Sequence, residues 1–268
     1  MMRRLVLVAV AMMLVAGTAR ADRVRIAATT SFENSGLAAV LLPPLQTETG
    51  HDVELLVVGT GQAIRLGRAG DVDAVLVHAR AAEDAFVRDG HASHRRPIMW
   101  NDFVVVGPAA DPARVRGAVD AADALTRIAV AGSDFVSRGD DSGTHAAERA
   151  IWRRADLAPV GRWYKEVGAG MGAALNTAAG LGAYIFVDRA SWLAFGRKGD
   201  LALLFEGDPA LRNQYAFLPV SAARHPHVNA EAAAEVEAWL ASPAAQRLID
   251  GYGIGGEQLF HFNAEAAP

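Results

Sequence analysis

The chain contains no cysteine. Disulfides and thiolate metal sites are therefore excluded, an oxidising compartment poses no hazard, and stability has to come from the core. An excess of basic charge is missing as well: 26 Lys and Arg stand against 30 Asp and Glu, a formal net charge of −4. Nucleic acid is thereby disfavoured as a partner, because phosphate-backbone binding needs a basic face. The chain also lacks internal repeats, low-complexity tracts and the strained Gly-x-Ser-x-Gly turn of α/β hydrolases. Ser142, His145 and Asp141 supply the residue types of a hydrolytic triad. Crowded into so short a stretch they cannot place an imidazole between hydroxyl and carboxylate, so an enzyme is not expected.

The longest apolar run lies at the start. Arg3 and Arg4 precede Leu5 to Gly17, and Ala19-Arg20-Ala21 follows. Roughly 13 apolar residues fall short of the ~20 that span a bilayer. The three parts match a secretory signal peptide, 1–21, with cleavage expected after Ala21. No cysteine near that point is available for acylation, so the mature chain is expected free in the periplasm. Cleavage removes three basic residues and no acidic one, which moves the net charge to about −7. An anionic ligand would then have to be caught by local hydrogen-bond donors rather than by a global positive field.

What remains alternates strand-like and helix-like segments. Arg23–Ala28 leads into Thr29-Thr30-Ser31 and a helix near Leu37–Glu48; Val53–Val58 leads into Gly59-Thr60-Gly61-Gln62 and another helix; Asp73–His78 precedes a helix near Ala81–Asp89. Such βα units imply an α/β fold with a mainly parallel sheet, and ligands bind beyond the carboxyl ends of its strands. Phe103–Val106 reads as a strand leaving this first set. A second set follows, with the apolar segment Ile128–Ala131, the loop Ser137–His145, a helix near Ala146–Arg154 and a strand Tyr184–Val187. Tyr215–Val220 would carry the chain back, and Val228–Gly251 has helical apolar spacing. The expectation is two lobes, 22–105 with 206–268 and 106–205, joined by two strand crossings around a hinged cleft.

Ser137-Arg138-Gly139-Asp140-Asp141-Ser142-Gly143-Thr144-His145 is the most informative segment. It places a guanidinium, hydroxyls and a glycine where a helix begins, and unpaired N–H groups at a helix start favour anions. The bland alternative is a helix cap from Asp141 or Ser142 with solvated neighbours. Thr29-Thr30-Ser31 and Gly59-Thr60-Gly61 also join strands to helices, and three donor-rich helix starts could share one cleft. Gly170-Met171-Gly172 could be another contact or a tight packing corner. His225-Pro226-His227 lacks further ligand-type neighbours and reads as a surface turn; Trp152, Trp163 and Trp239 read as packing residues in helical surroundings.

Taken together, Thr29 to Gly36, Val58-Gly59-Thr60-Gly61-Gln62-Ala63, Asp73 to Ala79, Asn101 to Pro108, Phe135 to His145 and Gly168 to Gly172 closely resemble the tungstate-binding periplasmic proteins of ABC importers. The resemblance spans essentially the whole mature chain; Ala28 stands where many members have a third threonine. It implies a two-lobed periplasmic binding protein of type II fold, a monomer without cofactor, handing its ligand to an ABC permease. It implies an oxyanion held at Thr30, Ser31, Thr60, Gly61, Arg138, Ser142, Gly143 and Thr144, with Thr29, Gly170, Met171 and Gly172 as further candidates and no metal cation.

Tungstate and molybdate are fully deprotonated dianions, so a donor-only site suits them, whereas hydrogen phosphate brings a proton that wants a buried acceptor. Beyond the third strand, where a phosphate site is expected to have a carboxylate, this chain has Val77-His78-Ala79. One of Asp140 and Asp141 is expected to pair with Arg138 and the other to cap. Phosphate is the alternative ligand, since Arg-x-Asp-x-Ser-Gly-Thr also resembles phosphate-binding proteins. A sensor that presents the bound anion to a membrane receptor would use the same fold.

Overall fold

The computed structural model describes residues 22–140 and 142–264. The signal peptide expected at 1–21 and Asp141 lie outside them.

The chain opens with β1 (Arg23–Thr29), α1 (Thr30–Asn34), α2 (Leu37–Thr49), β2 (Asp52–Val58), α3 (Thr60–Ala69), β3 (Ala74–Val77) and α4 (Arg80–Arg88). The long β4 (Arg96–Pro108) leads into α5 (Ala121–Ala131), β5 (Phe135–Ser137), α6 (Gly143–Arg154) and β6 (Tyr164–Glu166). Next come α7 (Met171–Leu181), β7 (Tyr184–Asp188), α8 (Arg189–Ala194) and β8 (Leu201–Phe205). The return uses β9 (Arg212–Pro219), α9 (Ala230–Leu240), α10 (Pro243–Asp250) and the short β10 (Gly253–Ile254), β11 (Glu257–Gln258) and β12 (His261–Phe262).

The strands lie in the order β2-β1-β3-β9-β4-β7-β5-β6, with β8 and β12 also paired to β4. β4 carries the chain from one half of this sheet to the other: Arg96–Asp102 pairs with β9, and Phe103–Val106 pairs with β7. The pairs β1·β2, β1·β3, β5·β6 and β5·β7 are parallel, as βα units require. Against the expectation of a mainly parallel sheet, β4 runs antiparallel to β7, β8, β9 and β12, and β9 antiparallel to β3. The strands that connect the two halves enter from the opposite direction, which the local βα pattern could not reveal.

Apolar runs are continuous in the central strands because helices cover both faces. In β1, Val24, Ile26 and Ala28 pack on one cluster with α2, α9 and α10, while Ala27 turns to the other with α3. In β7, Tyr184 and Phe186 face one way and Ile185 and Val187 the other, so each half has two cores. Trp152 and Trp239 are buried as expected, whereas Trp163 lies in a turn before β6 rather than in a helix. The segment Ile128–Ala131 ends α5.

The crossing segments are tied together. Asn213 on β9 donates to Asn101 on β4 at 2.7 Å, and both side chains are buried. Arg189, at the start of α8, donates twice to Asp102 at 2.8 and 2.6 Å and once to Glu206 at 2.5 Å. This fork-on-carboxylate geometry fixes the entry of α8 to both passages between the halves.

Candidate functional site

Four helices begin where strands end around one cavity of about 550 Å³. At the end of β1, Thr29 caps α1 by accepting from Phe32 N–H at 3.4 Å, which leaves Thr30 and Ser31 on the cavity wall. β5 ends at Ser137, and Arg138 follows directly. Gly139 takes φ 59° and turns the chain, so that Asp140 folds back onto Arg138 and Ser142 caps α6 through His145 N–H at 3.3 Å. Gly170 caps α7, and Asp188 at the end of β7 caps α8 by accepting from Ser191 N–H at 2.8 Å. Unpaired N–H groups of these helix starts and the positive ends of their dipoles favour negative charge nearby.

The polar lining comes from both halves of the sheet: Thr30, Ser31, Asn34 and Ser35 from one, Arg138, Thr144, Asp188 and Ser191 from the other. Arg138 donates through Nη2 to Asp140, while its buried Nε meets no hydrogen-bond partner among the described residues. Burial opposes ionisation of Asp140, but hydrogen bonds from Ser142 and the charge of Arg138 outweigh it and hold the carboxyl below its usual range. Asp188 is pushed the other way: burial raises it, and its bonds with Ser191 and the nearby Arg138 only partly offset the cost. A charged donor fork with one buried N–H to spare, flanked by hydroxyls, is suited to a small oxyanion.

Behind Ser31 stand Thr29, His78 and Tyr215, all within hydrogen-bond reach of its hydroxyl. The His78 ring lies against Gly143 across the cleft: a Cβ on Gly143 would stand 2.5 Å from His78 Cε1, so only glycine fits there without displacement. Below the Arg138 loop, buried Glu148 of α6 accepts from Ser137 at 2.8 Å, Trp152 at 3.1 Å and Tyr164 at 2.7 Å, locking β5, α6 and β6 together.

Residues 15–244 match the family model of the PBP superfamily domain. The chain belongs to the PBP superfamily. The tungstate-binding protein TupA of Peptoclostridium acidaminophilum is 41% identical over 243 residues, 89% of this chain and 85% of that protein. The solved tungstate-binding protein TupA from Desulfovibrio alaskensis G20 superposes with a TM-score of 0.85 at 42% identity, covering 91% of this chain and 100% of that one. A tungstate ABC transporter structure from Geobacter sulfurreducens gives 0.77 at 44% identity, over 86% and 98% of the two chains. The fold is thus the two-lobed periplasmic binding protein fold of the α/β class, with a hinged cleft and two strand crossings.

For this PBP superfamily chain, Thr30, Ser31, Arg138, Thr144, Gly170, Met171 and Gly172 share the cavity wall. Ser142 and Gly143 sit at the start of the same helix as Thr144, with Ser142 engaged as its cap. Thr29 is buried beneath the wall as the cap of α1, and Thr60 with Gly61 opens α3 outside the lining. In place of α3, the start of α7 is the further helix that faces the cavity. Asp140 takes the pairing role with Arg138, and the cap of α6 is Ser142.

Sequence reasoning missed Asn34, Ser35, Asp188 and Ser191 on the cavity wall. Asp188 could have been found, because an aspartate that ends an apolar strand and precedes a helix is a cap at the ligand-binding edge of the sheet. Among the described residues no group of three or more His, Cys, Asp or Glu could hold a metal ion, and no helix is long and apolar enough to cross a membrane.

Proposed function

We propose that this protein captures tungstate, and with it molybdate, outside the cytoplasmic membrane and delivers it to an ABC permease. The observation that carries the reading is the convergence of Thr30 and Ser31 with Arg138 and Thr144 on one cavity, because hydroxyls and a guanidinium from both halves of the sheet can enclose a tetrahedral dianion. Relatives described as tungstate-binding proteins, at 41% and 42% identity over most of the chain, support it. Charge-assisted hydrogen bonds contribute about 1.5–3 kcal/mol each. Six of them reach the ~12 kcal/mol of a nanomolar complex before ordering and desolvation are subtracted.

In this reading the lobes are 22–105 with 206–268 and 106–205, and the protein works as a periplasmic monomer without cofactor or catalysis. Thr30, Ser31, Arg138 and Thr144 donate through side chains, and the backbone of Ser142, Gly143 and Gly170 to Gly172 adds N–H groups. Thr60 and Gly61 join the shell only if closure brings α3 inward; Thr29 acts through Ser31. Phosphate is the second reading, favoured by one observation: the carboxyl of Asp188 on the cavity wall could accept a proton from hydrogen phosphate. Isothermal titration of ligand-stripped protein with tungstate, molybdate, sulfate and phosphate tests both. One-to-one binding of tungstate with indifference to phosphate is expected; tight phosphate binding without response to the metal oxyanions would replace the ligand and leave the transport role.

A further inference from the structure

The hydroxyl of Ser31 is enclosed on its protein side. His78 Nε2 stands 2.9 Å from Ser31 Oγ, Thr29 Oγ1 stands 3.0 Å away, and the Tyr215 hydroxyl donates to it across 3.2 Å. The fully buried Tyr215 also packs its ring on His78, with centroids 4.7 Å apart. A serine hydroxyl has one hydrogen to give and two lone pairs to fill, so these neighbours decide what it can offer a ligand.

His78 is neutral: burial pushes it down to about 4, although the nearby Asn213 amide restores part of the shift. A neutral imidazole carries one N–H, placed on the nitrogen that has an acceptor. Nδ1 is buried and meets no hydrogen-bond partner among the described residues. Asn213 Nδ2 donates to Asn101 at 2.7 Å, and although the Asn213 side chain and the residue's own backbone both favour the charged ring, neither meets Nδ1 in hydrogen-bonding geometry. A buried N–H without an acceptor is rarer than a buried lone pair without a donor. The proton therefore sits on Nε2 and points at Ser31 Oγ.

We infer that His78 is a specificity-determining positioning residue: with Tyr215 it occupies both lone pairs of Ser31, so that Ser31 can only donate to the anion and favours fully deprotonated tetrahedral dianions over protonated ones. Thr29 Oγ1 is a neutral acceptor for the same hydrogen. A dianion wins that hydrogen, because a charged acceptor makes the stronger bond. The proton of a hydrogen phosphate finds no acceptor at this position. The inference rests on the proposed anion-binding role and adds the residue that sets the ligand's protonation state.

The test combines two measurements on the purified protein. Long-range proton–nitrogen NMR reads the His78 tautomer directly, its signal assigned by its loss in His78→Gln. Titrations with tungstate and phosphate then compare wild type, His78→Gln, His78→Leu and Tyr215→Phe. The expected result is the Nε2–H tautomer, tungstate affinity within about threefold of wild type for Gln, and a loss of at least about tenfold for Leu. The tungstate-to-phosphate ratio should shrink in the Leu variant, and in the same direction for Tyr215→Phe. An Nδ1–H tautomer, or a Leu variant that keeps the wild-type ratio, overturns the inference. If the Leu variant does not fold, the tautomer and Tyr215→Phe decide. A wild type that ignores both anions sinks the functional reading itself, whatever the tautomer.

Discussion

Gly143 at the start of α6 lies against the His78 ring just beyond β3, closely enough that a Cβ on the glycine would stand 2.5 Å from His78 Cε1. The two residues come from opposite sides of the cleft, so their contact sets how near the donor-bearing loops can approach each other. Gly143→Ala is expected to hold the lobes apart. Tungstate affinity should fall at least about tenfold while the melting temperature moves by only a few degrees, as calorimetry of free and loaded protein would read. An alanine variant with unchanged affinity would show that the contact does not govern closure.

Arg138 brings a permanently charged fork with a buried Nε to the cavity wall. Arg138→Ala should weaken tungstate binding by about 2–4 kcal/mol, because a charge-assisted partner of a dianion is lost. Arg138→Lys should recover only part of this, since an ammonium cannot reproduce the planar fork. Titration of both variants measures the effect, and equal affinity of wild type and alanine would remove the residue from the site.

Asp188 is the carboxyl that separates the two ligand readings. Asparagine also caps helices well, so Asp188→Asn should preserve the start of α8. Tungstate affinity is expected to stay or rise, because a carboxylate beside a dianion repels it. If phosphate is the ligand and passes its proton to Asp188, the same substitution should cost at least about tenfold.

Glu148 gives a pH dependence with a definite sign. Burial pushes its carboxyl up to about 7 from an ordinary 4.5, with the charge of Glu166 adding and the bonds from Tyr164, Ser137 and Trp152 opposing. A pKa raised by folding contributes stability that is complete below the unfolded value and is lost as pH rises through the folded one. His78, pushed down to about 4, works in the opposite sense, present above its usual 6.5 and lost as pH falls through about 4. It does so in both proteins compared. Urea unfolding should therefore show Glu148→Gln gaining on wild type by up to about 3 kcal/mol between about pH 4.5 and 7.5. A constant difference across that range would mean that Glu148 stays charged.

The cavity of about 550 Å³ could hold many waters, at roughly 30 Å³ each, and far exceeds one tetrahedral oxyanion. Contact from both lobes at once needs closure. The radius of gyration from solution scattering should fall when tungstate is added, and an unchanged profile with tight binding would mean that the ligand is held by one lobe.

Much of the molecule could be read from the chain itself. Strand and helix alternation is a local pattern of apolar periodicity and turn residues, so β1 to β3 with α2 to α4 were legible, as was the donor-rich start of α6 after Arg138. The family follows from residues such as Thr29 to Ser31 and Ser137 to His145, whose order is written in the sequence. Tertiary structure decided which donor clusters meet. Thr60 and Gly61 have the same local signature as Thr30 and Ser31, but α3 opens outside the lining while the start of α7 faces the cavity. It also decided that Asp188 joins the wall, that β4 and β9 run against their neighbours, and that His78, Tyr215 and Ser31 share one network. Those facts rest on pairings between residues far apart in the chain, such as Ser31 with Tyr215 and Asn101 with Asn213. Local preferences fix which element forms. Only packing of the whole chain fixes what that element faces.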